Sequence, residues 1–265
     1  MYPFKYQKAA TVRGAVSLLN KAEDPKLLAG GHTLIPTMKQ RLASPKTLID
    51  LSGAGLSGIE QKGRSIVVGA MTTHAEVASS PLVQQAIPAL AQLAGHIGDP
   101  QVRHRGTIGG SVANNDPAAD YPAALMALGA VVHTSKRKIP ADEFFAGLFS
   151  TALDEDEVIT KVAFPIPGKA GYVKFPNPAS RYAIVGVFVA KRGGQVRVAV
   201  TGAGSDGVFR HAAMEEALSR RFHAKSLEGV ATDAGGMNGD IHASPEYRAH
   251  LVGVMARRAV AAATA

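Results

Sequence analysis

The chain has 265 residues, 46% of them hydrophobic and 19% charged, which is enough to bury a sizeable core and excludes a disordered polypeptide. It has no cysteine, which excludes disulfides, a thiolate nucleophile, cysteine-ligated zinc and any iron–sulfur cluster held by this chain. The net charge of +8 is dispersed apart from Lys136-Arg137-Lys138, which reads as a solvated loop and not as the stripe of a nucleic-acid binder.

Phe4-Lys5-Tyr6 is predicted as a strand, and Thr11 as the N-cap of a helix that starts at Val12. Leu27-Leu28-Ala29 forms a short buried strand ending at Gly30-Gly31, and Thr47 to Leu51 another, closed by the Gly-rich stretch 53–58. These make a first α/β lobe, residues 1–55. A second lobe, 56–169, has a strand at residues 65–69 and a helix from His74 capped by Thr73. Further helices run from Ala86 to Gly95 and from Pro122 to Leu128, the latter stopped by Gly129. Strands follow at 131–133 and 158–164, and Pro165-Ile166-Pro167-Gly168 then punctuates the chain.

The third lobe, 170–265, has an uninterrupted strand, Ala183 to Lys191. Arg192-Gly193-Gly194 turns it into the alternating run Gln195 to Val200, a hairpin. Helices are expected at 212–218, 226–234 and 247–263. An antiparallel sheet backed by helices is the simplest arrangement for this lobe, and the whole chain reads as α+β. The longest apolar run, Pro122 to Val132, falls short of the ~18 residues that a membrane span needs. The first residues lack the apolar stretch of a secretory signal, so a cytoplasmic protein without an integral membrane segment is expected.

Two glycine-containing stretches carry the chemistry. In Ala29-Gly30-Gly31-His32-Thr33 a strand runs into a Gly-Gly pair and a hydroxyl residue. Without a Cβ in the way, backbone N–H groups there can converge on an anion. On its own a Gly-Gly after a strand is also an ordinary turn, and no Gly-x-Gly-x-x-Gly opens a helix here. The second stretch, residues 97–122, is rich in Gly, Asn, Asp and hydroxyl groups, yet holds too many Ile, Val and Ala residues for a linker. It reads as an ordered, partly buried loop around something polar. Asp116, before Pro117, suits an N-cap; Asp120, before Tyr121-Pro122, suits either a cap or a hydrogen-bond acceptor for a ligand. The nine histidines show no metal-ligand spacing near His32, and no catalytic acid, base or nucleophile stands out.

At these stretches the sequence resembles the FAD-binding medium subunits of molybdenum hydroxylases, the CO dehydrogenase and xanthine dehydrogenase family, over its whole length. Ala29-Gly30-Gly31-His32-Thr33 is similar to the family's first diphosphate motif, and Thr107-Ile108-Gly109-Gly110-Ser111 to its second. The resemblance implies a PCMH-type FAD-binding fold of two α/β lobes plus a C-terminal lobe with antiparallel sheet and helices. It implies that FAD binds at Ala29, Gly30, Gly31, His32, Thr33, Thr107, Gly109, Gly110 and Ser111, with Asp120 at the flavin end. It also implies Ile159 beside the ring, Lys174 near its polar edge and Tyr182 near its exposed face. Thr33 stands where Ser is common, and Ser111 where Asn or Asp is frequent. The Pro-rich segment before Tyr182 lacks the family's frequent acidic residue.

As partners the resemblance implies a large molybdopterin subunit and a small iron–sulfur subunit, assembled as a dimer of heterotrimers. Electrons would pass from the iron–sulfur clusters to FAD and on to an external acceptor. The alternative is an autonomous flavin-dependent oxidoreductase acting directly on a small substrate.

Overall fold

Three sheets of three or more strands follow one another along the chain, in a computed structural model that describes residues 1–264. The first is parallel, in the order β1 (Lys5–Lys8), β3 (Thr47–Asp50), β2 (Pro25–Leu28). Parallel neighbours need crossovers, supplied by α1 (Val12–Lys21) and α2 (Leu34–Lys39). Thr11 starts α1 as the sequence suggests: its hydroxyl accepts the N–H of Gly14 at 3.0 Å. Val12, Val16 and Leu19 of α1 pack on Ile49 and Leu51, and the same cluster takes in Leu56, Met71 and Val158 from further along the chain.

The second sheet is antiparallel, in the order β4 (Ile59–Lys62), β5 (Ser65–Gly69), β10 (Ile159–Pro165), β6 (Val131–Thr134), β7 (Lys138–Pro140). Between β5 and β6 lie six short helices: α3 (His74–Ser79), α4 (Pro81–Ala86), α5 (Pro88–Gly95), α6 (Pro100–Arg103), α7 (Ile108–Asn114) and α8 (Tyr121–Leu128). A capping box opens α3, with Thr73 and Glu76 satisfying each other's backbone N–H groups. After β7 come α9 (Ala141–Phe144) and a small hairpin, β8 (Phe145–Gly147) with β9 (Ser150–Thr151).

The third sheet is an antiparallel meander of β11 (Lys169–Pro176), β12 (Ala183–Arg192), β13 (Gln195–Thr201) and β14 (Phe209–Arg210). β12 is buried continuously from Ala183 to Ala190 because both faces of the sheet are covered. One face packs against α10 (Ala212–Arg220) and α11 (Pro245–Ala262) through Val185, Val187, Val189, Met214 and Met255. The other sends Tyr172, Phe188 and Ala199 into the core of the helices around the second sheet. A fully buried side chain of this size contributes roughly 1.5–3 kcal/mol by leaving water, so this shared core holds the second and third sheets together. Arg248 fastens α11 to the sheet from within: it is buried, donates to the carbonyls of Ile184 and Gly202, and pairs with Asp240 at 2.7 Å.

Four local expectations need correction. The helix expected over 226–234 does not form; a 3-10 turn at Ala224–Leu227 ends there, and Gly229 goes left-handed (φ 79°). The helix expected from Ala86 to Gly95 starts only at Pro88, because proline disfavours helical geometry in the preceding residue and Ile87 lies outside it (φ −142°, ψ 69°). Residues 97–122 are not one loop but include α6 and α7. Asp116 caps no helix: Ala118 donates to its carboxylate within a tight turn.

Candidate functional site

The turn after β2 and the start of α7 meet face to face. A Cβ on Gly30 would lie 2.2 Å from the carbonyl oxygen of Arg105 and 2.8 Å from the Cα of Gly106, so only glycine permits this approach. The stretch 104–111 is held in turn on the end of β5. His74 donates its N–H to Gly106 O, Ile108 to Thr72 O and Gly109 to Ala70 O, at 2.8–3.0 Å. Gly109 sits so close that a Cβ there would come 2.6 Å from that of Ala70.

Between the two turns opens a cavity of about 660 Å³, within the range of ordinary cofactor sites. Ala29, Gly30, Gly31, His32, Thr33, Thr107, Gly109, Gly110, Ser111, Asp120, Ile159 and Tyr182 all line it. Lys174 alone of the expected residues does not. Its ammonium lies behind the wall, 2.9 Å from Asp120 Oδ1, and donates to the carbonyls of His96 and Arg181, each at 2.9 Å.

The two turns differ in what they offer an anion. Among the described residues the N–H groups of Gly30, Gly31, His32, Thr33 and Leu34 find no acceptor; Ile35 is the first to bond back, to Gly31 O. Gly31 turns the chain here with a left-handed backbone (φ 75°), a conformation found where successive amides form an anion nest. At the second turn Ile108, Gly109, Gly110 and Ser111 already donate, to Thr72 O, Ala70 O, Thr107 Oγ1 and Thr107 O. Those amides close the N-terminus of α7, with Thr107 as its cap. The second turn therefore contributes bare main chain and the Ser111 hydroxyl, and the amides that can grip an anion belong to the first.

The far wall is acidic. Asp120 precedes α8 but does not cap it; its buried carboxylate accepts from the Tyr172 hydroxyl and pairs with Lys174. Burial pushes this carboxyl above its ordinary range, against the pull of Lys174 and Tyr172. Burial likewise pushes the Tyr182 phenol up, helped by the charges of Asp116 and Asp120. Asp116, Asn114, Arg181 and His74 also face the cavity and were not singled out for it from sequence. Asp116 and Asn114 lie within the polar stretch already recognised, whereas nothing local distinguishes His74 from a residue in a helix's first turn.

His74 is buried, stands 5.4 Å from the Tyr121 ring, and leaves Nδ1 without a partner. Burial first, then the charges of His32 and Arg103, bring its imidazole down to about 4. Unfolded, it titrates near its ordinary value of ~6.5, so between these limits the unfolded chain binds the extra proton. Its contribution to stability is complete above about pH 6.5 and is lost as pH falls towards about 4, on the order of 3 kcal/mol. His74→Phe is expected to flatten that part of the pH dependence, measured as urea midpoints at about pH 7 and about pH 4.5. If the midpoint fell equally in both proteins, other groups would be responsible.

The chain as a whole has known counterparts. Residues 2–167 match the family described as "FAD binding domain in molybdopterin dehydrogenase". The nicotine 6-hydroxylase medium subunit of Paenarthrobacter nicotinovorans is 37% identical, over 98% of this chain and 97% of its own. The carbon monoxide dehydrogenase medium chain of Hydrogenophaga pseudoflava is 36% identical, over 99% and 97%. A solved carbon monoxide dehydrogenase chain from that organism superposes with a TM-score of 0.87 at 35% identity, covering 100% of this chain and 99% of the other.

Proposed function

Since this chain belongs to the FAD-binding medium subunits of molybdenum hydroxylases, we propose that it takes electrons from iron–sulfur clusters on a partner subunit and passes them to an external acceptor. FAD held in this cavity would supply a store that takes up two electrons and can release them singly. The chain's own part is to hold that group and shape its surroundings. The observation that carries this reading is the row of unpartnered amides from Gly30 to Leu34, opening on the same cavity as Asp120 and Tyr182.

In this reading those amides and the Thr33 hydroxyl bind the diphosphate, each bond being charge-assisted and worth roughly 1.5–3 kcal/mol. Gly109 and Gly110 let the cofactor lie against bare backbone, and Ser111 adds a hydroxyl. Asp120 accepts from the flavin end, with its carboxylate oriented by Lys174 and Tyr172. Ile159 and Tyr182 border the ring. Lys174 thus acts through Asp120, not by touching the flavin. The division into units 1–55, 56–169 and 170–265 belongs to the same reading.

A dimer of heterotrimers in the cytoplasm, with a molybdopterin subunit and an iron–sulfur subunit, is the assembly this division of labour calls for. No cysteine here could hold the clusters. No helix among the described residues is long and apolar enough to cross a membrane.

The test is rapid reduction of the purified complex by its organic substrate, followed through the visible absorbance of the flavin. The flavin is expected to bleach only when the iron–sulfur subunit is intact. Bleaching at the same rate after its clusters are removed would replace this reading with that of a flavin enzyme acting on the substrate directly.

A further inference from the structure

Asp116 lies in the cavity wall just beyond the helix that carries Gly109 and Gly110. Asn115 sets its direction by closing α7 in the left-handed region (φ 42°, ψ 49°). The Asn115 side-chain amide donates to the carbonyls of Gly147 and Ser150, both at 2.8 Å, and so pins this turn to the β8–β9 hairpin. Past the turn, Asp116 Oδ1 accepts a single bond, from the Ala118 N–H at 2.9 Å.

Among the described residues its carboxylate has no ion-pair partner. Asp120 has Lys174 at 2.9 Å, but among the described residues no Lys, Arg or His forms an ion pair with Asp116. The Lys174 ammonium at this end of the cleft therefore serves Asp120 and not Asp116. Burial pushes the Asp116 carboxyl up, a sign that water solvates it poorly, and its field reaches the Tyr182 phenol. A fixed charge in such surroundings is weakly screened, and Coulomb energy grows as the effective dielectric falls.

We propose that Asp116 is a tuning residue, whose unpaired carboxylate opposes the gain of electrons by the flavin and so lowers its reduction potential. The inference rests on the reading above that the flavin end of FAD lies towards Asp120 and Tyr182. Charge near the ring is one of the means by which a protein sets a flavin's electronics. The competing role is purely structural, a side chain that accepts from Ala118 to shape the turn. Asparagine fills that role equally well, since its carbonyl oxygen accepts the same bond. Asp116→Asn therefore removes the charge and leaves the turn.

The experiment is a redox titration of the flavin in the purified complex, read by visible absorbance, with flavin content measured in parallel. Asp116→Asn is expected to raise the potential by at least a tenfold change in the equilibrium ratio, about 30 mV for a two-electron couple. Asp116→Glu keeps the charge and is expected to stay within about threefold of the parent in that ratio. An unchanged potential in Asp116→Asn at full flavin content overturns the proposal. So does an equal rise in Asp116→Glu, because charge would then not be the cause. Loss of flavin from Asp116→Asn also overturns it, making the carboxylate a cofactor ligand. Failure of the underlying reading has a separate signature: Asp120→Asn, at the expected flavin end, would also leave the absorption spectrum and potential of the flavin unchanged.

Discussion

Lys174→Met is expected to destabilise the chain by about 3–5 kcal/mol, because it leaves the Asp120 carboxylate buried without its counter-charge. Both side chains are only 5% exposed, so water cannot take over the role of the lost partner. The lysine also ties three elements together: it stands on β11, donates to His96 just past α5, and donates to Arg181 in the turn before β12. The Tyr172 hydroxyl still donates to Asp120 in the variant, but a neutral donor offsets only part of a full charge. Pairing the change with Asp120→Asn is expected to recover most of the loss, since a neutral amide needs hydrogen bonds and no counter-ion. Guanidinium unfolding of the two single variants and the double variant measures this directly as a coupling energy. A single variant within about 1 kcal/mol of the parent would mean that the pair is not closed as described.

The same lysine shows where sequence reasoning reached and where it stopped. Its neighbourhood follows from the family resemblance, but its contacts depend on residues 54 and 78 positions away, which no local pattern encodes. Local signals served well where the physics is local. Thr11 and Thr73 cap their helices as expected, and Gly193-Gly194 turns β12 into β13 with Arg192 opposite Gln195. Both glycine stretches were recognised as belonging together, and they do share one cavity. What the pattern did not convey is that the second is the first turn of a helix, because Gly-Gly inside a helix runs against intrinsic propensity. Tertiary bonds from Ile108 and Gly109 to Thr72 and Ala70 override that preference. The amides of this second turn are taken up within the fold by those bonds and by Thr107, unlike those of the first. His74 stayed invisible because its role depends on burial against Tyr121 and Gly106, which only the fold brings about.

Gly30→Ala is expected to weaken FAD binding by roughly 10²–10⁴-fold while the chain stays folded. A methyl group at this position would stand 2.2 Å from the Arg105 carbonyl oxygen, and that obstacle is backbone, not a movable side chain. The turn must therefore retreat from residues 105–106 by the better part of an ångström, carrying the amides of Gly30 to Leu34 with it. Charge-assisted hydrogen bonds weaken steeply with misalignment, and losing two of them costs about 3–6 kcal/mol, which sets the range above. The fold survives because the affected segment lies at the rim of the cleft, while the cores of the second and third sheets are made elsewhere. Gly194→Ala is the matched control: no atom lies within 4 Å of its added methyl, so its flavin content should equal that of the parent. Gly109→Ala should behave like Gly30→Ala by a different route, since its methyl would press on Ala70 and lift α7 off β5. Flavin content of the purified variants, with circular dichroism to verify the fold, distinguishes the cases. Full occupancy in Gly30→Ala would show that the close contact of the two turns is not what holds the cofactor.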